Sequence, residues 1–264
     1  MVNKFCKQPL WECSRTLCDV AQGRVKADTV IVNAKLVNVC TREIIEGTDV
    51  AVVAGRIAMV GDCKHCIGEN TVVVDANGKY LAPAFMDGHI HIESTMLSPY
   101  EFSKVALVHG TTAVVADPHE IANVCGVDGI EYMLEASEGL PLDFYIMAPS
   151  CVPATGFDES FEEIDASKLK TLFKKKRIIG LAEMMNYVGV IYDDKSVIAK
   201  IEAAKKANKL IDGHAPMLTG KQLDKYVSYG INSDHECSSY EEAKERVRKG
   251  QWLMIRRGTA AKNL

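Results

Sequence analysis

Residues 81–95, LAPAFMDGHIHIEST, are the stretch that decides the fold. An apolar run leads into Gly88, and His89 and His91 follow with one residue between them. Alternate side chains of a β-strand lie on the same face, so both imidazoles can point the same way from the end of a strand. Two such imidazoles suit zinc or a first-row transition metal. By itself an HxH triplet is a weak signal, because histidine often serves as an ordinary polar residue.

Composition places the chain among ordinary soluble globular proteins. It has 264 residues, of which 47% are hydrophobic and 25% charged, enough for one large α/β domain or two smaller ones. The formal net charge of −4 offers no basic surface for nucleic acid. No apolar run has the length of a signal peptide or of a membrane span. We therefore expect a cytoplasmic protein without a nucleic-acid or membrane partner.

The cysteines agree with a reducing compartment. There are nine, an odd number, and they are spread without the regular spacing of a disulfide framework. Cys63 and Cys66, with His65 between them, have the spacing of half a zinc knuckle. Because no second CxxC exists, we interpret this loop as a coincidence rather than a metal site.

Residues 1–82 are predicted to form a lead-in helix and a small antiparallel β unit with a structural role. Apolar residues recur at helical spacing over residues 1–26, and the pattern turns to alternating β from Asp28. Two hairpins are predicted, one at residues 54–55 (Ala-Gly) and one at residues 77–78 (Asn-Gly).

Residues 83–264 alternate strands with helices, which predicts parallel βα units. Seven strands in this rhythm predict an α/β fold, a TIM-like (β/α)₈ barrel that is incomplete at the C-terminus and contains strands 1–7. No GxGxxG loop follows the first strand, which weakens a dinucleotide-binding alternative. The predicted strands are residues 84–91, 111–117, 143–149, 177–185, 210–215, 231–236 and 252–258, and the helices are residues 98–110, 128–139, 166–176, 194–208, 220–230 and 239–250.

In such a barrel the active site lies at the carboxyl ends of the strands. Five of the seven histidines fall there, together with several carboxylates: His89, His91, Asp117, His119, Glu120, Glu183, His214 and His235. Imidazoles from strands one, five and six supply four nitrogens, enough for two metals, and Glu183 lies on a strand between them where it can bridge both. Two metals can share and acidify one water, and a nearby carboxylate must then move the proton to the leaving group.

These residues resemble the adenine deaminases of the amidohydrolase superfamily. The resemblance runs from the lead-in helix to RRGTAAKNL at residues 256–264 and is carried by FMDGHIHIEST (85–95), ADPHEIANV (116–124), GLAEMMN (180–186), DGHAP (212–216) and INSDHE (231–236). GLAEMMN is the most specific motif, since most binuclear members of the superfamily have a carboxylated lysine where this chain has Glu183.

The resemblance implies a binuclear site with two divalent metal ions, commonly manganese or iron, with zinc possible. The implied ligands are His89, His91, Glu183, His214 and His235. It also implies hydrolytic deamination of adenine to hypoxanthine and ammonia, a reaction of purine salvage, in which a metal-bound hydroxide attacks C6 of the purine.

Asp117, His119 and Glu120 match a family motif beside the metals. The resemblance implies substrate contacts for Asp117 and His119, and proton transfer or a ring-nitrogen contact for Glu120. Support of the ligating histidines by these side chains is the alternative interpretation.

The chain is shorter than a complete barrel of this family, and the eighth strand, which carries an aspartate ligand in the superfamily, is expected to be missing. Two alternatives therefore stay open. The chain is an inert fragment that binds metal or a partner, or it is another amidohydrolase, such as a deacetylase or a dihydroorotase. Glu183 in place of lysine argues against a dihydroorotase. The expected partners are adenine and either a second copy of the chain or a complementing C-terminal segment.

Overall fold

The structure, a computed structural model, describes residues 9–258. It divides the chain into two units, one ending at Ala84 and the other beginning at Phe85. Residues 1–8 of the predicted lead-in helix and residues 259–264 of the C-terminal motif lie outside the described residues.

The described part of the first unit, residues 9–84, contains one α-helix, a short 3-10 helix at Lys64–Cys66 and five strands. The predicted lead-in helix is present as a shorter element that buries Cys13 and Val20, while Leu10 at its start is exposed. Val20 packs in a small core with residues of the sheet and of the loop that carries Cys63 and Cys66. The elements are α1 (Leu10–Ala21), β1 (Thr29–Asn38), β2 (Glu43–Val53), β3 (Arg56–Gly61), β4 (Val72–Asp75) and β5 (Tyr80–Leu81).

The prediction of a purely antiparallel unit is wrong. β2 is antiparallel to β1 and β3, and the predicted hairpin at Ala54 and Gly55 joins β2 to β3. β4 and β5, however, both run parallel to β1. The turn at Asn77 and Gly78 does form, but it bonds to β1, because the Gly78 N–H donates to the Asn33 carbonyl at 2.9 Å. The chain therefore continues along β1 instead of folding back on β4.

The second unit is a curled parallel sheet, and the prediction of a partial barrel is confirmed. Five strands pair in the order β10-β9-β8-β7-β6, and β11 pairs with β12. A hydrogen bond of 3.2 Å from the Asn232 N–H to the Ile211 carbonyl links β11 to β10. The strands are β6 (Phe85–Ile90), β7 (Thr111–Ala116), β8 (Asp143–Ala148), β9 (Ile178–Met184), β10 (Leu210–Gly213), β11 (Ser233–Asp234) and β12 (Trp252–Leu253).

Helices cover one face of this sheet, and apolar side chains between the two layers form the main core, among them Val114, Ile146, Leu181 and Ile201. The predicted cap at Ser98 is present, since its hydroxyl accepts the Glu101 N–H ahead of Pro99. The helices are α2 (Pro99–Val108), α3 (His119–Ala136), α4 (Ala166–Leu172), α5 (Tyr187–Ile191), α6 (Lys195–Lys206), α7 (Gly220–Ser228) and α8 (Tyr240–Arg248). Among the described residues, none of these helices is both long and apolar enough to cross a membrane.

α3 consists of two helical segments that meet at Gly126: the second corresponds to the predicted helix at residues 128–139, and the first, which begins at His119, was not predicted. The helix is kinked at Gly126, whose φ is +61°, and a Cβ there would collide with the Glu162 carboxylate. That carboxylate accepts the Val127 N–H at 2.7 Å, so it satisfies the backbone where the helix is interrupted. His119 opens the first of these segments, just after β7 ends at Ala116, and does not lie on the strand itself.

Candidate metal centre

Glu183 is the centre of the site. It lies near the end of β9 with its side chain 3% exposed, and its two oxygens face different imidazoles. Oε2 lies 2.5 Å from Nδ1 of His214 and 3.0 Å from Nε2 of His235. Oε1 faces three other ring nitrogens: Nδ1 of His119 at 3.3 Å, Nε2 of His91 at 3.4 Å and Nε2 of His89 at 3.9 Å.

The HxH pair on β6 is oriented by hydrogen bonds from its other ring nitrogens. Nδ1 of His89 lies 3.0 Å from a carboxylate oxygen of Asp212, and Nδ1 of His91 lies 2.9 Å from the Asp117 carbonyl. When each Nδ1 carries the proton for its acceptor, each Nε2 keeps a free lone pair. The two Nε2 atoms face each other at 3.1 Å, as two ligands of one cation would.

His235 is buried beside this pair, and its ring stacks on that of His89 with centroids 3.8 Å apart. Its Nε2 meets Glu183, whereas its Nδ1 has no hydrogen-bond partner among the described residues. Asp212 forms a longer ion-pair contact with this nitrogen: its Oδ2 lies 3.8 Å from Nδ1 of His235. One oxygen of Asp212, Oδ2, therefore lies beside the stacked rings and faces Nδ1 of both histidines.

Carboxylates hold protons on several of these imidazoles. Burial disfavours the charge on His119, but its hydrogen bond to Asp117 and the charges of Asp117 and Glu183 outweigh burial and raise the pKa of His119 to about 9. The pKa of His214 is raised in the same way by Glu183. Burial opposes ionisation of Glu183, yet hydrogen bonds from His214 and His235 hold its pKa well below the ordinary value. A divalent cation in this cluster would displace imidazole protons.

The donor set fits a metal ion. Imidazole nitrogens and carboxylate oxygens are the ligands of zinc, iron and manganese sites. Two buried atoms at the site, Nδ1 of His235 and Oδ1 of Asp117, have no hydrogen-bond partner among the described residues. Three overlapping groups have ligand atoms within 4.8 Å of one another: His91, Asp117, His119 and Glu183; His89, Asp212 and His235; and Glu183, His214 and His235.

The structure thus brings all five sequence-predicted ligands to one place, and His119 lies beside them, with its Nδ1 3.3 Å from Oε1 of Glu183. Glu120 lies next to His119, but its Oε1 accepts a hydrogen bond from the Ser94 hydroxyl at 2.6 Å. Sequence analysis missed Asp212. A signal for it exists, because the Asp-Gly-His of residues 87–89 recurs at residues 212–214.

A cavity of about 840 Å³ leads to this cluster in the second unit. Its walls come from β6 and from residues 254–258, and it reaches His89, His91 and His235. Ser94, the partner of Glu120, also lines it. The cavity is large enough for a small-molecule ligand beside the imidazoles.

The Cys63–Cys66 loop of the first unit has other contacts. Nε2 of His65 lies 3.0 Å from the Ala21 carbonyl, and the Cys66 thiol donates to the Val20 carbonyl at 3.3 Å. Burial raises the pKa of the Cys63 thiol to about 11, which disfavours the thiolate that a metal would need. We expect His65→Ala to leave the metal content of the chain unchanged, measured by elemental analysis after reconstitution. His91→Ala is the comparison variant and should lower the metal content; a drop with His65→Ala as well would show that this loop had been wrongly dismissed.

Comparisons with known proteins identify the family to which the chain belongs. The model of the amidohydrolase family matches residues 80–263. An adenine deaminase of Clostridium botulinum (Type A) is 47% identical over 262 residues, which is 98% of this chain and 44% of that protein. An adenine deaminase of Desulfatibacillum aliphaticivorans is 47% identical over 244 residues, 92% of this chain and 42% of that protein. The chain therefore spans less than half the length of these relatives.

Solved structures with similar folds include a dihydroorotase and the N-isopropylammelide isopropylaminohydrolase of Burkholderia multivorans. The dihydroorotase is 15% identical, with a TM-score of 0.55, over 85% of this chain and 64% of that chain. The second enzyme is 14% identical, with a TM-score of 0.55, over 85% of this chain and 67% of that chain. At these identities the likeness concerns the fold.

Proposed function

The chain belongs to the amidohydrolase family, and from this membership we propose that it is the metal-binding part of an adenine deaminase. The reaction proposed is hydrolysis of adenine to hypoxanthine and ammonia, in purine salvage. Support comes from the 47% identity to the Clostridium botulinum enzyme and from the glutamate, Glu183, in the fourth strand of the barrel. A cytoplasmic location is part of the proposal, because the nine cysteines of the sequence are odd in number and lack the regular spacing of a disulfide framework.

The observation that carries the proposal is the division of imidazoles between the two oxygens of Glu183. We assign His89, His91 and Oε1 to one divalent ion, and His214, His235 and Oε2 to a second. Manganese or iron is proposed, with zinc possible. When bound, such ions acidify a shared water, so that hydroxide is available near neutral pH.

The side chains around the ligands prepare them for this role. Asp212 and the Asp117 carbonyl accept from Nδ1 of His89 and His91, which turns both Nε2 atoms toward Glu183. Outer hydrogen bonds of this kind fix the tautomer and the orientation of a ligand. In this proposal, adenine enters through the cavity that Ser94 lines and meets the water there.

Deamination needs protons in two places. Water adds at C6, the bond from C6 to the amine breaks, and the ring nitrogen and the departing ammonia must each gain a proton. We assign proton transfer to Glu120, which is held by Ser94 at the cavity, and substrate contacts to Asp117 and His119. Glu183 remains with the metals.

Glu120→Gln tests this assignment. We expect kcat to fall by about 10²- to 10⁴-fold, the usual contribution of a positioned acid or base, while metal content stays the same. Glu101→Gln, an exposed carboxylate on α2 that pairs with Lys104, is the matched control. Steady-state kinetics with elemental analysis measures both quantities. Loss of metal in Glu120→Gln would instead assign Glu120 to support of the ligands.

The function itself is tested by reconstitution with Mn²⁺ and by following the loss of adenine absorbance. Turnover of adenine supports the proposal. Two bound ions without turnover would favour a fragment that needs a further segment, and turnover of dihydroorotate or of an N-acyl sugar would favour another amidohydrolase. The likeness to a solved dihydroorotase makes that substrate a necessary control.

The proposal of a partner rests on β6, the strand at the edge of the sheet in the second unit. Among the described residues, β6 pairs with β7 on one side, and Phe85 and Met86 on β6 are 69% and 61% exposed. An unpaired edge with apolar side chains is an aggregation hazard unless another strand or chain covers it. We propose that a C-terminal segment, or a second copy of the chain, covers β6.

A further inference from the structure

Tyr226 on α7 is fully buried and joins the two strands that carry Glu183 and His214. Its hydroxyl donates to the Met184 carbonyl at 2.9 Å. The same oxygen accepts the backbone N–H of His214 at 3.0 Å. One phenol therefore bridges the main chain of β9 to the residue that follows β10.

This bridge lies where the ladder between β9 and β10 is irregular. The register of the two strands shifts between Ile211 and Gly213, and Gly213 is paired with Met184. Beyond that pair, the His214 N–H and the Met184 carbonyl use the phenol as their partner. A buried N–H or carbonyl without a partner is costly, so the hydroxyl stabilises this arrangement of the backbone.

Gly213 shows that the phenol is closely packed. A Cβ at this position would lie 2.3 Å from the Ser233 carbonyl oxygen and 3.2 Å from Cε1 of Tyr226. Glycine therefore lets β11 and the tyrosine ring approach β10 together. The close approach to Gly213 limits movement of the ring, and the two hydrogen bonds fix the position of the hydroxyl.

We infer that Tyr226 is a positioning residue that sets the separation between Glu183 and His214. Glu183 directly precedes Met184, and the Oε2 atom of Glu183 lies 2.5 Å from Nδ1 of His214. Fixing the two backbones together fixes the distance between the two side chains. The inference rests on the proposed metal pair, because these side chains are its assigned ligands.

Tyr226→Phe removes the hydroxyl and keeps the ring. The His214 N–H and the Met184 carbonyl then lose their shared partner, and the His214 backbone can move relative to β9. We expect the binding step that uses His214 to weaken by about 10- to 100-fold, as loss of an outer hydrogen bond does at other metal sites. The binding step that uses His89 and His91 should change much less, because the hydroxyl of Tyr226 makes its hydrogen bonds with Met184 and His214 and not with β6.

The experiment is a calorimetric titration of the metal-free chain with Mn²⁺. Tyr229→Phe is the matched control, since this tyrosine directly follows the same helix as its C-cap residue and its hydroxyl donates to Asp193 near the surface. Absorption of Co²⁺ bound in place of Mn²⁺ gives a second readout, because its intensity depends on ligand geometry. The inference is supported if the binding step that uses His214 is weaker and the Co²⁺ spectrum is altered in Tyr226→Phe, while Tyr229→Phe shows neither change.

Equal affinities in the wild type and in Tyr226→Phe would overturn the inference and leave the proposed function intact. A wild-type chain that binds no metal would overturn both. Melting curves of the metal-free variants establish a temperature at which all are folded. If Tyr226→Phe does not fold, Tyr226→4-aminophenylalanine keeps a donor for the Met184 carbonyl but is a poor acceptor for the His214 N–H, so a weaker binding step at His214 and an altered Co²⁺ spectrum are then expected. Unchanged affinities and an unchanged spectrum in that variant would contradict the inference.

Discussion

Glu183→Gln is expected to abolish tight binding of metal. The carboxylate contributes one oxygen to each of the two imidazole sets, and the amide that replaces it is neutral and has only one acceptor oxygen. One of the two ion sites therefore loses its carboxylate oxygen, and both sites lose the negative charge that offsets the charge of the cations. We expect the affinity of both ions to fall by more than the ~10- to 100-fold that loss of an outer hydrogen bond costs.

The result is measured by elemental analysis after dialysis against a weak chelator. Glu202→Gln is the control, because Glu202 is an exposed carboxylate on α6 that pairs with Lys206. The proposed turnover of adenine should be lost together with the metal. A Glu183→Gln chain that still holds two ions tightly would contradict the assignment of Glu183 as a bridge between them.

The charge balance makes this variant informative without metal as well. Hydrogen bonds from His214 and His235 depress the pKa of Glu183, and the same contacts raise the pKa of His214. With glutamine at position 183, His214 loses its largest source of proton affinity. We expect the pKa of His214 to fall in the metal-free variant, and a histidine titration followed by NMR measures the change.

Much of the second unit could be predicted from sequence because its signals are local. Alternation of apolar strands and capped helices identified the seven strands, and the histidines follow from the strand ends. Asp212 could not be assigned a role in this way. It contacts His89 across 123 positions of sequence, and that contact exists because β10 curls toward β6. Periodicity indicates that a strand exists but not which side chains it meets.

The two errors in the fold have the same origin. The Asn-Gly turn at residues 77–78 was correctly located, but turn residues do not determine which strand the following segment pairs with, and β5 pairs with β1. The start of α3 was missed because Gly126 interrupts the helical pattern. The interruption is stabilised by Glu162, which lies 36 positions away. Both outcomes depend on tertiary contacts.

Arg246→Met is expected to cause the largest loss of stability. Arg246 on α8 is fully buried, and its guanidinium lies 3.4 Å from an Asp234 oxygen and 3.2 Å from a Glu242 oxygen. It also donates to the Ala215 carbonyl and, at 3.3 Å, to Gln251. Removing one side of a buried ion pair leaves uncompensated charge, at a cost of about 3–5 kcal/mol. Charged residues predominate in α8, so the sequence alone does not distinguish the buried Arg246 from the exposed Arg248.

Arg246→Met should also disturb the proposed metal site, because the guanidinium of Arg246 contacts Asp234 at the end of β11, next to His235. Asp234 directly precedes that histidine, and its Oδ2 accepts the Ala215 N–H at 3.0 Å, next to His214. Without the guanidinium, Asp234 is free to repel Glu242 and turn away from Ala215. Urea unfolding of the metal-free chain measures the free energy, with Arg248→Met on the exposed face of α8 as the control. If both variants unfold at the same urea concentration, the stability of the chain does not depend on the ion pairs of Arg246 with Asp234 and Glu242. Another interaction then holds the segments of His214 and His235 together.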